Sequence, residues 1–144
     1  MVETLWEFGE DVFVQEFLKE AAGKDYRVFV VGDQVVAAML RTAAAGEFRS
    51  NIHRGGEGTL VKLPASYRRA AIRAAQVMGL EVAGVDLMES KSGPVVLEVN
   101  SSPGFEGIER ATGLNIAGRI ISHMIKLAKK AKRPGKRAPR KKRR

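Results

Sequence analysis

The stretch VAGVDLMESKSGPVVLEVN, residues 82–100, decides the fold. Two mostly apolar runs, 82–89 and 95–100, flank the turn-forming residues SKSGP at 90–94. Runs of this kind around a short turn predict an antiparallel β-hairpin. Because side chains alternate between the two faces of a strand, the hairpin also predicts which polar residues lie together.

The polar residues of this hairpin form the first candidate site. With the turn centred on Ser92, Asp86 lies opposite Glu98, and Asn100 shares their face. Two directly opposed carboxylates repel each other unless a positive charge lies between them, and Mg²⁺ prefers such oxygen ligands. Acidic residues that alternate with apolar ones are also typical of any half-exposed strand. The spacing alone therefore leaves a magnesium site and a plain surface strand both open.

Outward from the hairpin, the pattern is strands, a helix, the hairpin and a second helix. Strands are predicted at residues 12–18, 26–31, 35–40 and 59–63, and helices at 64–78 and 116–130. Pro64 suits the first turn of its helix, and Gly79 suits its end. This order predicts an α+β domain, with helices packed on an antiparallel sheet, over residues 1–131.

Composition limits the chemistry. The chain of 144 residues has no cysteine, which excludes disulfides and thiolate metal sites, so a metal would be held by oxygen ligands or by His53 and His123. The opening residues, MVETLWEFGE, carry acids where a signal peptide carries basic residues, and no run of about 18 apolar residues occurs. We therefore expect a cytoplasmic protein without a membrane partner.

Basic charge is concentrated at the C-terminal end. The net charge is +9, but 12 of the 25 Lys and Arg residues lie between residues 126 and 144, where there is no acid. This segment has no large apolar residue beyond Leu127, so it cannot bury enough surface to fold. We predict a disordered basic tail at residues 132–144, which either binds phosphate backbones or is a solubilising extension.

Five motifs resemble those of the RimK-type ATP-grasp ligases in their order and spacing. They are WEFGEDVFVQEF at 6–17, the strand pair around Gly32 and Asp33, GEFRSNIHRGG at 46–56, MGLEVAGVDL at 78–87 and LEVNSSPGFEGIERATG at 97–113. The resemblance covers about residues 5–128 and implies the C-terminal subdomain of an ATP-grasp domain. It further implies a reaction in which ATP and a carboxylate form an acyl phosphate that an amine attacks. The member that names the type adds glutamate to the C-terminus of a small-subunit ribosomal protein, so the implied partners are ATP, glutamate and such an acceptor.

The resemblance also implies roles for individual residues. Asp86, Glu98 and Asn100 match ligands of Mg²⁺ or Mn²⁺, with two ions expected. The other matches, in chain order, are an adenine-reading segment (Gln15, Glu16, Phe17, Leu18), a ribose contact (Asp25), residues that close on the terminal phosphate (Arg49, Ser50, Asn51) and a loop at the phosphate or acceptor pocket (His53, Arg54, Gly55, Gly56). Within these sets, Arg49 and Asn51 match the catalytic residues.

The chain departs from the family pattern ahead of the matched region. In the family, a smaller subdomain with phosphate-binding lysines comes first, and this sequence does not include it. Because the developing phosphoryl charge has to be stabilised from both sides, we expect the isolated chain to be inactive or nearly so. Two other functions stay open, an ATP-grasp ligase for a metabolite or an amino-group carrier protein and a noncatalytic RNA- or ribosome-binding module. Assembly into a homo-oligomer is open as well.

Overall fold

The fold is a five-stranded sheet with helices on both faces. The computed structural model describes residues 14–44 and 57–131. Its strands are β1 (Lys24–Val31), β2 (Gln34–Thr42), β3 (Glu57–Leu60), β4 (Val82–Ser90) and β5 (Gly93–Asn100). Its helices are α1 (Ala65–Val77), α2 (Glu106–Thr112) and α3 (Ile116–Ala131), and a single 3-10 turn, Lys19–Ala21, precedes β1.

Every neighbouring pair in the sheet is antiparallel, in the order β3-β2-β1-β4-β5. The strand β1 therefore lies at the centre, between β2 and β4. Its alternate residues point to opposite faces, so Val28 and Val30 face one side while Phe29 and Val31 face the other. This arrangement confirms the predicted α+β class with an antiparallel sheet.

Each face of the sheet has its own hydrophobic core. The helix α1 covers the first face, where Ala71 and Ala75 are fully buried against the valines of β1 and β4. The helices α2 and α3 cover the second face through Ile108 and Ile116, which pack against Phe29. No helix in the described ranges is long and apolar enough to span a bilayer.

The predicted elements agree with the structure in most places. The hairpin, α1, α3 and the β1–β2 pair are confirmed, and the expected strand at 59–63 lies a little earlier, at Glu57–Leu60. The strand expected at 12–18 is wrong over its described part, because residues 14–18 form no strand and Val14 and Phe17 are 77% and 55% exposed. Their apolar side chains suggested a core strand that the sheet does not contain.

Sequence reasoning also missed α2. This helix has only seven residues and buries a single one, Ile108, so it has no helical periodicity to detect. It matters for the packing of α3, because the Glu109 Oε1 atom accepts hydrogen bonds from the backbone N–H groups of Ile116 (2.6 Å) and Ala117 (3.0 Å). One carboxylate thus caps two of the donors that the start of α3 leaves unpaired.

The hairpin pairs Asp86 with Glu98, as predicted, but the strand register next to the turn differs from the predicted one. Next to the turn, the register pairs Ser90 with Gly93 and Leu87 with Val96, and it shifts between Asp86 and Leu87. Without that β-bulge, Asp86 would lie opposite Leu97, and Glu98 would point to the other face. The bulge is therefore what brings the two carboxylates to one face.

Candidate active site

Four charged residues form a cluster on the face of the sheet that also carries Phe29. Asp25 lies opposite Arg41 in the β1–β2 register, and Arg27 lies opposite Asp86 in the β1–β4 register. Asp25, Arg41 and Asp86 are 6%, 9% and 5% exposed, which is rare for charged residues unless they are paired. Three strands therefore supply two carboxylates and two guanidinium groups to one buried patch.

Arg41 joins the two carboxylates of this cluster. Its Nε and Nη2 atoms donate to Asp25 Oδ1 and Oδ2, both at 2.6 Å, and Nη2 also donates to Asp86 Oδ2 at 2.8 Å. The planar guanidinium suits this forked geometry, which a lysine could not reproduce. Arg41 therefore fixes the positions of Asp25 and Asp86 relative to each other.

Arg27 holds the same Asp86 carboxylate from the other side. Its Nη2 atom donates to Asp86 Oδ2 at 2.9 Å, so Oδ2 accepts from both arginines. Its Nε atom lies 2.6 Å from Asp86 Oδ1, but these two atoms do not form a hydrogen bond, and neither has another hydrogen-bond partner among residues 14–44 and 57–131. Asp86 Oδ1 is thus a buried oxygen that is ion-paired with Arg27 but accepts no hydrogen bond in the described part of the chain.

Burial and pairing act against each other in the electrostatics of this cluster. Burial raises the pKa of Asp86 above its ordinary value, and the charges of Arg41 and Arg27 oppose that rise without cancelling it. For Arg41, burial lowers the pKa, but its hydrogen bond to Asp25 and the charge of Asp86 outweigh this effect, so the pKa is raised and the guanidinium stays charged. An ionised Asp86 therefore depends on its two arginines.

Glu98 and Asn100 complete the oxygen-bearing face. The Glu98 side chain is exposed, and no hydrogen bond or ion pair joins it to another residue in the described part of the chain. Asn100 is half-buried, and its Oδ1 atom accepts the backbone N–H of Ser102 at 2.9 Å, which orients the side chain and leaves one lone pair.

These atoms fit a hard divalent cation. Among the described residues, Asp86 Oδ1 is a buried oxygen that accepts no hydrogen bond, Glu98 has an exposed carboxylate, and Asn100 offers an oriented amide oxygen. Carboxylate and amide oxygens are the ligands that Mg²⁺ and Mn²⁺ take, completed by water or phosphate. In the described ranges, no three His, Cys, Asp or Glu residues form a group that could hold a metal ion, so a metal here would have to draw on the amide of Asn100 as well as on the two carboxylates.

All of these side chains line one cleft of about 1110 Å³, a volume large enough for a nucleotide. The described residues with predicted roles that line it are Gln15, Glu16, Phe17, Leu18, Asp25, Asp86, Glu98 and Asn100. Arg49, Ser50, Asn51, His53, Arg54, Gly55 and Gly56 lie outside the described residues. His123, one of the two histidines that could hold a metal, lies outside this cleft, with its Nε2 atom 2.7 Å from Glu81 Oε2.

The structure corrects one step of the sequence argument. The opposed carboxylates were expected to need a cation between them, yet Asp86 is already paired with Arg27 and Arg41. Neither arginine was singled out, because their proximity to Asp86 depends on the order of three strands. The signal that could have found them is the β1 pattern Asp25-x-Arg27, with charges on the face that elsewhere carries Phe29 and Val31.

Gly84 leaves room for this cluster. A Cβ atom at Gly84 would lie 2.8 Å from Pro103 Cβ and 3.1 Å from Arg27 Nη1. We expect Gly84→Ala to lower the free energy of unfolding by about 1–3 kcal/mol, because the methyl group overpacks this contact. Urea denaturation followed by circular dichroism measures the change.

The matched control for this prediction is Gly107→Ala in α2, where an added Cβ meets nothing within 4 Å. It should leave stability unchanged or raise it slightly, because alanine favours a helix. Equal stability of the two variants would contradict the tight contact at Gly84.

The fold is that of the ATP-grasp proteins, and two solved ligase structures share it. The ATP-grasp ligase PsnB, in a structure complexed with a phosphomimetic variant of minimal precursor, Mg and ADP, matches with a TM-score of 0.62 and 28% identity over 79% of this chain and 34% of that one. The D-alanine–D-alanine ligase of Bacillus anthracis complexed with ATP has a TM-score of 0.62 at 20% identity, over 90% of this chain and 46% of that one, and so shares the fold.

The sequence comparisons give the family. The family model for the RimK-like ATP-grasp domain matches residues 1–124. A probable alpha-L-glutamate ligase of Cellvibrio japonicus (strain Ueda107) is 60% identical over 90% of this chain and 43% of that protein. Another, from Shewanella amazonensis (strain ATCC BAA-1098 / SB2B), is 57% identical over 95% of this chain and 46% of that protein. This chain belongs to the RimK-like ATP-grasp family and spans less than half the length of these relatives.

Proposed function

We propose that this chain is the Mg-ATP-binding part of an ATP-dependent carboxylate–amine ligase that adds glutamate to the C-terminus of a small-subunit ribosomal protein. The observation that carries the proposal is the convergence of Asp86, Glu98 and Asn100 on one nucleotide-sized cleft, where three oxygen-bearing side chains of one hairpin lie together. The relatives called probable alpha-L-glutamate ligases support glutamate as the amine.

Each part of the cleft has a distinct task in this proposal. Asp86, Glu98 and Asn100 would hold one or two Mg²⁺ or Mn²⁺ ions, which supply charge neutralisation for the phosphates of ATP. Glu16 and Phe17 line the same cleft at a segment without regular secondary structure, and they would contact the adenine. Asp25 would face the ribose, and Arg49, Ser50 and Asn51 the terminal phosphate.

The chain's own residues position the reactants rather than attack them. The carboxylate of the acceptor takes the terminal phosphoryl group of ATP, ADP leaves, and the glutamate amine displaces phosphate from the resulting acyl phosphate. Arg41 fixes the positions of the Asp25 and Asp86 carboxylates relative to each other. The ribose and the phosphates of the nucleotide, which these two residues would contact, would therefore also be held at fixed positions. We expect the 144-residue chain alone to bind nucleotide but to form little or no product, since it spans less than half of its relatives.

Metal-dependent nucleotide binding tests the proposal. Titration of the chain with a nonhydrolysable ATP analogue in a calorimeter should give an affinity at least about tenfold higher with Mg²⁺ than with EDTA, because the metal bridges carboxylates and phosphates. Equal affinity under both conditions would contradict it. An ATP-grasp ligase that acts on a metabolite or an amino-group carrier protein would pass this test, and product analysis with the complete enzyme and each acceptor would separate the two.

A second proposal concerns the C-terminal end of the chain and ribosomal RNA. Lys126, Lys129 and Lys130 lie exposed on the last turns of α3, and nine more Lys and Arg residues follow at 132–144 without an acid. A segment of this kind binds phosphate backbones with a strong dependence on salt.

Fluorescence anisotropy with a labelled ribosomal RNA fragment tests this second proposal. Deletion of residues 132–144 should weaken binding at least about tenfold and flatten the salt dependence, because nine positive charges are lost. The control is Asp86→Asn, which should leave RNA binding unchanged while it removes metal-dependent nucleotide binding. Full RNA affinity after the deletion would contradict a role for the tail.

A further inference from the structure

In the buried part of the cleft, the positive and negative side-chain charges nearly cancel when no metal is bound. Asp25 and Asp86 are neutralised by Arg41 and Arg27 within one hydrogen-bonded cluster, and the remaining carboxylate among the three proposed ligand residues is that of Glu98. Glu16 and Glu106 also line the cleft but are exposed, and Glu106 pairs with Arg110 at 3.1 Å. Water screens such exposed charges strongly, so they add little attraction.

Arg27 lies beside the carboxylate that is proposed to bind the cation. Its Nε atom is 2.6 Å from Asp86 Oδ1, the oxygen that has no hydrogen bond. A divalent ion bound to that oxygen at about 2.1 Å would lie within about 5 Å of the guanidinium. Two positive charges this close repel each other, so Arg27 weakens the binding of the bare ion.

A nucleotide changes this balance. Its phosphates bring negative charge beside both the ion and Arg27, whose side chain is 17% exposed and lines the cleft. A guanidinium also donates well to phosphate oxygens, so the repulsion that penalises the bare ion is offset when the polyphosphate is present.

We propose that Arg27 makes metal binding depend on the nucleotide, an inference that rests on the proposed Mg-ATP function. The site would bind free divalent cations weakly and would bind them tightly only together with a polyphosphate. Arg27 is a specificity-determining residue in this scheme, because it acts through charge on the ion. Substitution of Arg27 by a neutral residue should therefore raise the affinity for free metal, whereas the loss of a binding residue usually lowers affinity.

Electron paramagnetic resonance of Mn²⁺ tests the proposal without an activity assay. The 144-residue chain is titrated with Mn²⁺ alone and with Mn²⁺ in the presence of ADP. In the unmodified chain, ADP should tighten Mn²⁺ binding at least about tenfold, and by linkage Mn²⁺ should tighten ADP binding by the same factor. Arg27→Met should tighten the binding of Mn²⁺ alone by about tenfold and reduce the effect of ADP.

Three variants make this result specific. Arg27→Lys keeps the positive charge and should bind free Mn²⁺ as weakly as the unmodified chain. Arg119→Met removes one charge from the exposed surface of α3, which lines a different cavity, and should change nothing. Arg27→Gln repeats the charge removal with a polar side chain, and far-UV circular dichroism shows which variants are folded.

The possible outcomes separate this proposal from the function on which it depends. Free Mn²⁺ binding that is unchanged or weaker in both Arg27→Met and Arg27→Gln overturns the role of Arg27, while the nucleotide site stands. If the unmodified chain binds no Mn²⁺ with ADP, or if Asp86→Asn binds it equally well, the proposed function fails and this inference fails with it. A merely structural role of Arg27 would weaken binding of the ion with and without ADP.

Discussion

Replacing Glu98 with Gln should abolish metal-dependent nucleotide binding, with an affinity loss of at least about 100-fold when Mg²⁺ is present. Changes to the outer partners of metal ligands already cost about 10- to 100-fold, and Glu98 is proposed to touch the ion directly. Glu98 also carries the ligand charge that no arginine of the cluster neutralises. Calorimetric titration with the nonhydrolysable ATP analogue, in Mg²⁺ and in EDTA, measures the loss.

The matched control for Glu98→Gln is Glu106→Gln, which makes the same chemical change at the exposed edge of the same cleft. It should change nucleotide affinity less than about threefold, because its charge is screened by water. Both substitutions replace exposed side chains, so neither should alter the unfolding transition. Retention of the Mg²⁺ effect in Glu98→Gln would remove Glu98 from the metal site.

Arg41→Met is expected to be the most destabilising single change in the site, with a loss of about 3–5 kcal/mol in the free energy of unfolding. The substitution leaves two carboxylates, Asp25 and Asp86, buried without their shared partner, and an uncompensated buried charge is far more costly than a lost surface pair. Urea denaturation at neutral pH, followed by circular dichroism, measures this loss.

Two comparisons isolate the cause of the Arg41 effect. Arg41→Lys keeps the charge but cannot bridge both carboxylates, so it should fall between Arg41→Met and the unmodified chain. Arg110→Met breaks an ion pair whose two side chains are 80% and 88% exposed, and its effect should be close to zero. A change below about 1 kcal/mol for Arg41→Met would mean that the cluster does not depend on this arginine.

The two experiments examine different properties of one cleft. Glu98 is exposed and is proposed to act on the ligand, whereas Arg41 is buried and holds the carboxylates that face the ligand. Loss of binding without loss of stability is expected for the first, and loss of stability with loss of binding for the second. The contrast separates residues that touch the metal from those that place its ligands.

Much of the fold could be predicted because its signals are local. The hairpin at 82–100, the helix that begins after Pro64 and the strand pair around Gly32 each depend on turn residues and on alternation within a short stretch. The helix α2 and the lack of regular secondary structure at 14–18 could not be predicted from such local signals. The helix α2 is too short to show a helical period, and the segment at 14–18 carries apolar side chains, Val14 and Phe17, that are exposed rather than buried.

The sequence by itself determined that Asp86, Glu98 and Asn100 belong to one hairpin, since alternation along paired strands is a local property. Only the tertiary structure decided that a bulge brings Asp86 and Glu98 to the same face, and that Arg27 and Arg41 neutralise Asp86 there. Those arginines come from strands 59 and 45 residues away in the chain. Their approach depends on the strand order β2-β1-β4, which no local pattern encodes, because it is set by how the whole sheet buries its two faces.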